Sequence, residues 1–181
     1  MKKVLPIGEI DSSWSLFLDR DGIINERIVD GYVQNPVQFV LLPKVKEAMA
    51  RLRRRFGHIF LVTNQQGVGK GIMSEWDLAQ VHGYMEAELE FPFDHIYYCT
   101  ALASANSPFR KPETGMAEQA RRDFPSVDFS RSVMVGDAVS DMLFGERAGM
   151  YTVFIPGAAE AWPDAAMQCS SLYDFASRLE P

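Results

Sequence analysis

Short unbroken apolar runs alternate along this chain with stretches in which apolar residues recur every three or four positions. The runs are Leu16-Phe17-Leu18, ending at Asp19; His58 to Val62, ending at Thr63; Ile96 to Cys99; Ser132 to Val135, ending at Gly136-Asp137; and Tyr151 to Ile155, closed by the turn signal Pro156-Gly157. Runs without polar alternation suit parallel strands covered on both faces. Between them, Lys44 to Phe56 puts Val45, Ala48, Met49 and Leu52 on one helical stripe, with Gly57 in the position of a C-cap. Ser74 followed three residues later by Asp77 is a capping-box-like start for a helix carrying Leu78, Val81, Met85 and Leu89. Gly115 to Phe124 and Val139 to Ala148 complete the helical set, with Gly149 in a stopping position. Strand and helix in repeated order predict an α/β fold: a Rossmann-like, doubly wound, mainly parallel sheet with helices on both faces.

At 181 residues the chain fits one domain, residues 1–181. Its 47% hydrophobic and 23% charged residues exclude disorder, collagen and coiled coil. Eighteen basic against 24 acidic residues leave a net charge of −6, which disfavours nucleic acid and anionic membrane surfaces as partners. Cys99 and Cys169 form no CxxC pair and read as buried free thiols. Near the N-terminus only Val4 to Ile7 is apolar, too short for a signal-peptide core, and no window approaches about 18 apolar residues, so a cytoplasmic protein is expected. Trp14, Trp76 and Trp162 read as packing residues, and His58, His82 and His95 have no spacing that assigns them a role.

In a doubly wound sheet, ligands bind outside the carboxyl ends of the strands. Polar residues stand at those ends: Asp19 and Asp21 after the first run, Thr63-Asn64-Gln65 after the second, Gly136-Asp137 after the fourth. Asp19-Arg20-Asp21-Gly22 fits a turn and equally a site for a hard divalent cation such as Mg²⁺. Asp137 adds a third carboxylate, and Asp141 follows one helical turn later. Lys111, flanked by Arg110 and Pro112, is either a solvated charge or a cation reaching the same edge. Thr63 and Asn64 make an ordinary turn or donate to phosphate oxygens. Gly67, Gly69 and Gly71 permit close backbone approach to an anion, although their spacing is neither GxGxxG nor a P-loop.

Phe17 to Gly22, Val62 to Gly67, Arg110-Lys111-Pro112 with Gly115-Met116, and Val135 through Asp141 resemble the four ordered motifs of the haloacid dehalogenase-type phosphatases. The likeness runs from about Ser15 to Ile155, includes Gly31-Tyr32-Val33, and is strongest to the group of heptose 1,7-bisphosphate phosphatases and histidinol-phosphatases. The resemblance implies Asp19 as nucleophile and Asp21 as general acid and base. It implies Mg²⁺ held by the Asp19 carboxylate, the Asp21 main-chain carbonyl and Asp137, with Asp141 supporting that set from behind. Thr63 and Lys111 would hold the transferring phosphoryl group, Arg110 would read the substrate, and Gly31, Tyr32, Asn64, Gln65 and Gln66 would contact it.

The chain departs from the group's pattern in three places. Ile23 stands where Thr is common, and the stretch before Gly31-Tyr32 runs about two residues long. The segment Cys99 to Phe109 offers Cys99 alone as a ligand, where many members bind zinc; a structural zinc needs four ligands, so no zinc is expected. Too few residues separate Asp19, Thr63 and Lys111 for a large cap domain, so the site should be open. The expected activity is Mg²⁺-dependent hydrolysis of a small sugar phosphate, with a heptose 1,7-bisphosphate first. Histidinol phosphate, a 3′-phosphorylated nucleic-acid end, and a non-catalytic phosphate-binding protein on the same scaffold are the alternatives.

Overall fold

Successive side chains of a strand point to opposite faces, and here both faces are apolar: Leu16 and Leu18 of β1 (Ser15–Leu18) enter one core layer while Phe17 enters the other. The computed structural model describes residues 3–159 and 161–180; Met1 and Lys2, which open the N-terminal stretch read above, lie outside them. The remaining strands are β2 (His58–Asn64), β3 (His95–Cys99), β4 (Ser132–Gly136), β5 (Tyr151–Phe154) and β6 (Met167–Gln168). They form one six-stranded sheet in the order β3-β2-β1-β4-β5-β6, and every pairing is parallel. The order reverses at β1, as a doubly wound sheet requires.

One face is covered by α1 (Val45–Arg53), α3 (Glu75–Leu89) and α6 (Leu172–Arg178), packed on Leu16, Leu18, Ile59, Leu61, Val133 and Val135. The other is covered by α4 (Gly115–Asp123) and by Phe144 of α5 (Val139–Ala148), packed on Phe17, Phe60, Val62 and Met134. Phe17 and Phe60 anchor this second layer with ring centroids 5.0 Å apart. Among the described residues, no large cap domain covers the strand ends and no helix is long and apolar enough to cross a membrane.

Local signals act largely as read. Asp77 N–H donates to Ser74 Oγ, and Ser74 N–H donates to Asp77 Oδ2, closing the capping box of α3. Gly149 takes φ +90° to end α5. Cys99 and Cys169 are free and buried. Four features differ from the pattern reading. Gly57 does not cap α1, which ends at Arg53; its N–H donates to the Trp14 carbonyl, tying the approach of β2 to that of β1. The glycine-rich stretch contains a helical turn, α2 (Gln66–Gly69). The tail past Pro156 supplies β6 and α6, too short or too irregular to register as apolar periodicity. Trp76 is exposed, not packed.

Candidate active site

With all strands parallel, the C-terminal ends of β1, β2 and β4 share one edge. The β1 and β4 ladder continues one step past the strand, Asp19 N–H donating to the Val135 carbonyl, so Asp19 enters the edge at a fixed height. Asp137 follows β4 directly, and Asp141 lies in the first turn of α5, where its Oδ2 accepts from the backbone N–H groups of Asp137 and Ala138. Carboxylate oxygens of Asp19, Asp137 and Asp141 all lie within 4.8 Å of one another, and all three residues are buried.

Three carboxylates this close require cations. Lys111, 3% exposed, places its ammonium 2.8 Å from Asp19 Oδ1 and against Asp141 Oδ1, and donates also to the Val62 carbonyl. Its backbone is pinned to β2 by Asn64, whose side chain accepts from Lys111 N–H and donates to the Lys111 carbonyl. Burial works against the Lys111 charge, but Asp141 and Asp19 outweigh it and raise the ammonium above its ordinary range. Burial pushes Asp19 up to about 6, with Asp141 adding to the rise and Lys111 opposing it. Burial and then Asp19 also raise Asp137, against the pull of Arg27.

Asp21 sits in a different environment, two residues after Asp19. Arg20 Nη2 donates to both its oxygens at 3.0 and 3.1 Å, Asn25 Nδ2 to Oδ1 at 2.9 Å and Gln65 Nε2 to Oδ2 at 2.9 Å. Burial acts to raise this carboxyl, but the Arg20 charge and these donors hold it below the usual carboxylate range. Arg20 is itself fully buried and meets His82 Nε2 at 3.3 Å through Nη1.

Arg27 completes the constellation. Its Nη2 donates to the Asp21 main-chain carbonyl at 3.0 Å and to Asp137 Oδ1 at 2.7 Å, and lies 3.9 Å from Asp19 Oδ2. A guanidinium therefore stands against the three groups expected to hold a divalent cation. The oxygen donor set suits Mg²⁺, and the seat already attracts positive charge.

The open cleft of about 190 Å³ in front of these groups is lined by Asp19, Asp21, Tyr32, Asn64, Arg110 and Lys111, among others including Gln66. Thr63 and Gln65 do not line it. Both are buried, and Gln65 Nε2 donates to Thr63 Oγ1 as well as to Asp21, so Gln65 acts from behind the carboxylate and not as a substrate contact. Gly31 borders an adjoining cleft of about 800 Å³, which shares Arg27, Tyr32 and Gln66 with the first. Arg110 Nη1 donates to the Ala101 carbonyl, across the segment that follows β3.

Sequence reasoning missed Arg20, Asn25, Arg27 and His82. Arg20 lies between two singled-out aspartates, and that placement was the available signal. Nothing in local pattern marks the other three, which reach the site through a loop and a helix face.

A model described as HAD-hydrolase-like matches residues 108–166. The chain is 35% identical over 170 residues to a Mycobacterium bovis protein named D-glycero-alpha-D-manno-heptose-1,7-bisphosphate 7-phosphatase, covering 90% of each chain. It is 39% identical over 148 residues to a Vibrio cholerae protein named D-glycero-beta-D-manno-heptose-1,7-bisphosphate 7-phosphatase, covering 76% of this chain and 78% of that one. Its fold matches the crystal structure of D,D-heptose 1,7-bisphosphate phosphatase from B. bronchiseptica complexed with magnesium and phosphate, with a TM-score of 0.83 and 26% identity over 92% of this chain and 97% of that chain.

Proposed function

The chain belongs to the haloacid dehalogenase-like hydrolases, and from that membership we propose that it is a Mg²⁺-dependent phosphatase removing one phosphoryl group from a heptose 1,7-bisphosphate. The single observation that carries the catalytic assignment is the Lys111 ammonium bridging Asp19 and Asp141 beside Asp137 at the mouth of an open cleft. The whole chain is read as one such domain acting in the cytoplasm. The relatives' names divide between alpha and beta anomers, so the substrate is named here without its anomer.

In the first half-reaction an Asp19 carboxylate oxygen attacks phosphorus, the bond from phosphorus to the ester oxygen breaks, and that oxygen takes a proton from Asp21. In the second, water adds to phosphorus and gives its proton to Asp21, the bond to Asp19 breaks, and inorganic phosphate leaves. The four donor contacts on Asp21 fix its orientation and keep it ionised at rest; the arriving phosphate dianion raises its affinity for the proton it then delivers. Lys111 holds phosphoryl oxygens as charge moves onto them, a role worth roughly 3–4 kcal/mol by comparison with other preorganised donors. Asn64 keeps that lysine in place, and Arg110, Tyr32 and Gln66 face the leaving sugar. Asp19, Asp137 and the Asp21 carbonyl would hold Mg²⁺, which would supply the positive charge that lets a carboxylate approach a dianionic ester. Zinc has no part in this reading, because Cys99 is the one sulfur or imidazole ligand in residues 99–109.

The test is phosphate release from heptose 1,7-bisphosphate of each anomer, histidinol phosphate, other sugar phosphates and a 3′-phosphorylated oligonucleotide, with Mg²⁺ and with chelator. Strong preference for a heptose bisphosphate that vanishes with chelator is expected. Equal or greater turnover of histidinol phosphate or the oligonucleotide overturns the substrate, and undiminished turnover in chelator overturns the metal dependence. Stoichiometric zinc in purified active protein overturns its exclusion.

A further inference from the structure

We propose that Arg27 is a built-in counter-cation: its guanidinium contacts the same oxygens that a divalent metal would take, and it must be displaced for the metal to enter. The inference rests on the metal site given above and adds a residue to its operation.

The argument is one of shared oxygens. Arg27 Nη2 lies 3.0 Å from the Asp21 carbonyl oxygen and 2.7 Å from Asp137 Oδ1, its Nε lies 3.3 Å from Asp137 Oδ2, and Asp19 Oδ2 is 3.9 Å from Nη2. A Mg²⁺ ion binds oxygens at about 2.0–2.1 Å. An ion taking those same oxygens would meet the guanidinium nitrogen at a distance that neither sterics nor like charge allows, so the two cations exclude one another. Charge balance favours the exchange. With Arg27 docked, Asp19, Asp137 and Asp141 face Lys111 and Arg27, which leaves one negative charge uncompensated. Replacing Arg27 by a divalent ion beside Lys111 brings the cluster to neutrality.

The surroundings permit the move. Lys111, the other cation of the cluster, is locked: its side chain is 2% exposed and satisfied on three sides. The Arg27 side chain is 38% exposed and hangs from a segment whose Val29 is almost fully open to solvent. Beside it lies the cleft of about 800 Å³ toward Tyr32 and Lys70, with space for a displaced guanidinium. A seat filled this way compensates all but one charge of the three buried carboxylates before metal arrives, and the metal-competent fraction is then only that part of the population in which Arg27 is out.

The experiment titrates metal-stripped protein with Mg²⁺ alone, and separately with Mn²⁺, by calorimetry at pH 8 in the wild type, Arg27→Gln and Arg27→Lys, and follows thermal unfolding of each with and without metal. If Arg27 is docked about nine-tenths of the time, Arg27→Gln binds either ion roughly tenfold more tightly. Its metal-free midpoint falls below wild type while its metal-saturated midpoint matches, and Arg27→Lys lies between. Unchanged affinity in Arg27→Gln overturns the exchange and leaves the metal site standing. Weaker affinity also overturns it, since Arg27 would then belong to the loaded site. Absence of binding in wild type and both variants overturns the metal site and the exchange together.

Discussion

The Lys111 ammonium stands 2.8 Å from Asp19 Oδ1, two buried opposite charges brought together from positions 92 residues apart in the chain. Lys111→Met keeps most of the volume and removes the charge, leaving Asp19 and Asp141 without their shared partner. Removing one member of a buried ion pair costs about 3–5 kcal/mol, and here two carboxylates are stranded. The expected outcome is a thermal midpoint well below wild type. For the molecules that remain folded, kcat should fall roughly 10²–10³-fold, the loss typical of a removed transition-state donor. Thermal unfolding and phosphate release on the same preparation check both. Wild-type kcat in this variant would remove Lys111 from the catalytic machinery.

Asp19→Asn separates catalysis from binding. The amide cannot attack phosphorus, so turnover should vanish. Phosphate should still bind, because Lys111 keeps its charge and its second partner, Asp141, at the cleft. Stability carries an independent sign. Asp19 is raised to about 6 in the folded protein, chiefly by burial and then by Asp141, from an ordinary value near 3.8. The folded state therefore binds more protons than the unfolded state across that window, and the fold loses stability as pH rises through it. At pH 7.5 without metal the ionised Asp19 is a net cost, so Asp19→Asn should unfold at a higher temperature than wild type. Persistent phosphate release would refute the nucleophile, and a lower midpoint would refute the electrostatic account of it.

How much of this was legible in the sequence depended on how local each feature was. β1, β2 and β4 could be read because both sheet faces are buried, which makes Leu16 to Leu18 or Ser132 to Val135 apolar without interruption. Asp19, Asp137 and Lys111 could be read because they follow strands or sit in a distinctive tripeptide. The two-residue β6 offers too few positions to show any period, and Gly57 imitates a cap because a backbone pairing and a helix stop demand the same small residue. Gln65 looked like a substrate contact because it stands between Asn64 and Gln66, which line the cleft; its own side chain turns inward, to Asp21 and Thr63. Arg27 reaches the site from the loop that follows β1 and His82 from α3, and their part in it follows from three-dimensional charge balance, which no spacing records.

Gly22 is where backbone conformation and the carboxylate cluster meet. It holds φ +90°, a region costly for any residue with a Cβ, and an added Cβ would strike the Asp137 carboxylate. Gly22→Ala should therefore lose about 1–2 kcal/mol from backbone strain alone and also displace Asp137. Two readouts distinguish this from ordinary destabilisation. Chemical denaturation gives the stability loss, and Mg²⁺ titration of the folded fraction should show weakened binding. Unaltered Mg²⁺ affinity would mean that the Asp137 position does not matter to the ion.

His82 predicts how the whole fold responds to acid. Its ring is buried on α3 and faces the Arg20 guanidinium at 3.3 Å, and burial first, then that like charge, hold it down to about 3 against an ordinary 6.5, with Asp21 opposing. A depressed histidine leaves the folded state with fewer bound protons than the unfolded state between those values. Stability is then fully present above about 6.5 and is lost progressively as pH falls toward 3. One pH unit of such imbalance is worth about 1.4 kcal/mol, so lowering pH from 6.5 to 4.5 should cost roughly 2–3 kcal/mol through this residue. His82→Gln preserves an acceptor for Arg20 and removes the titration. Its stability, measured by urea unfolding at intervals from pH 7.5 to 4.5, should be similar to wild type at the upper end and decline less steeply below 6.5. Parallel wild-type and variant curves would show that His82 is protonated without cost, and with that the reading of Arg20 and His82 as a buried, singly charged pair behind Asp21 would fail.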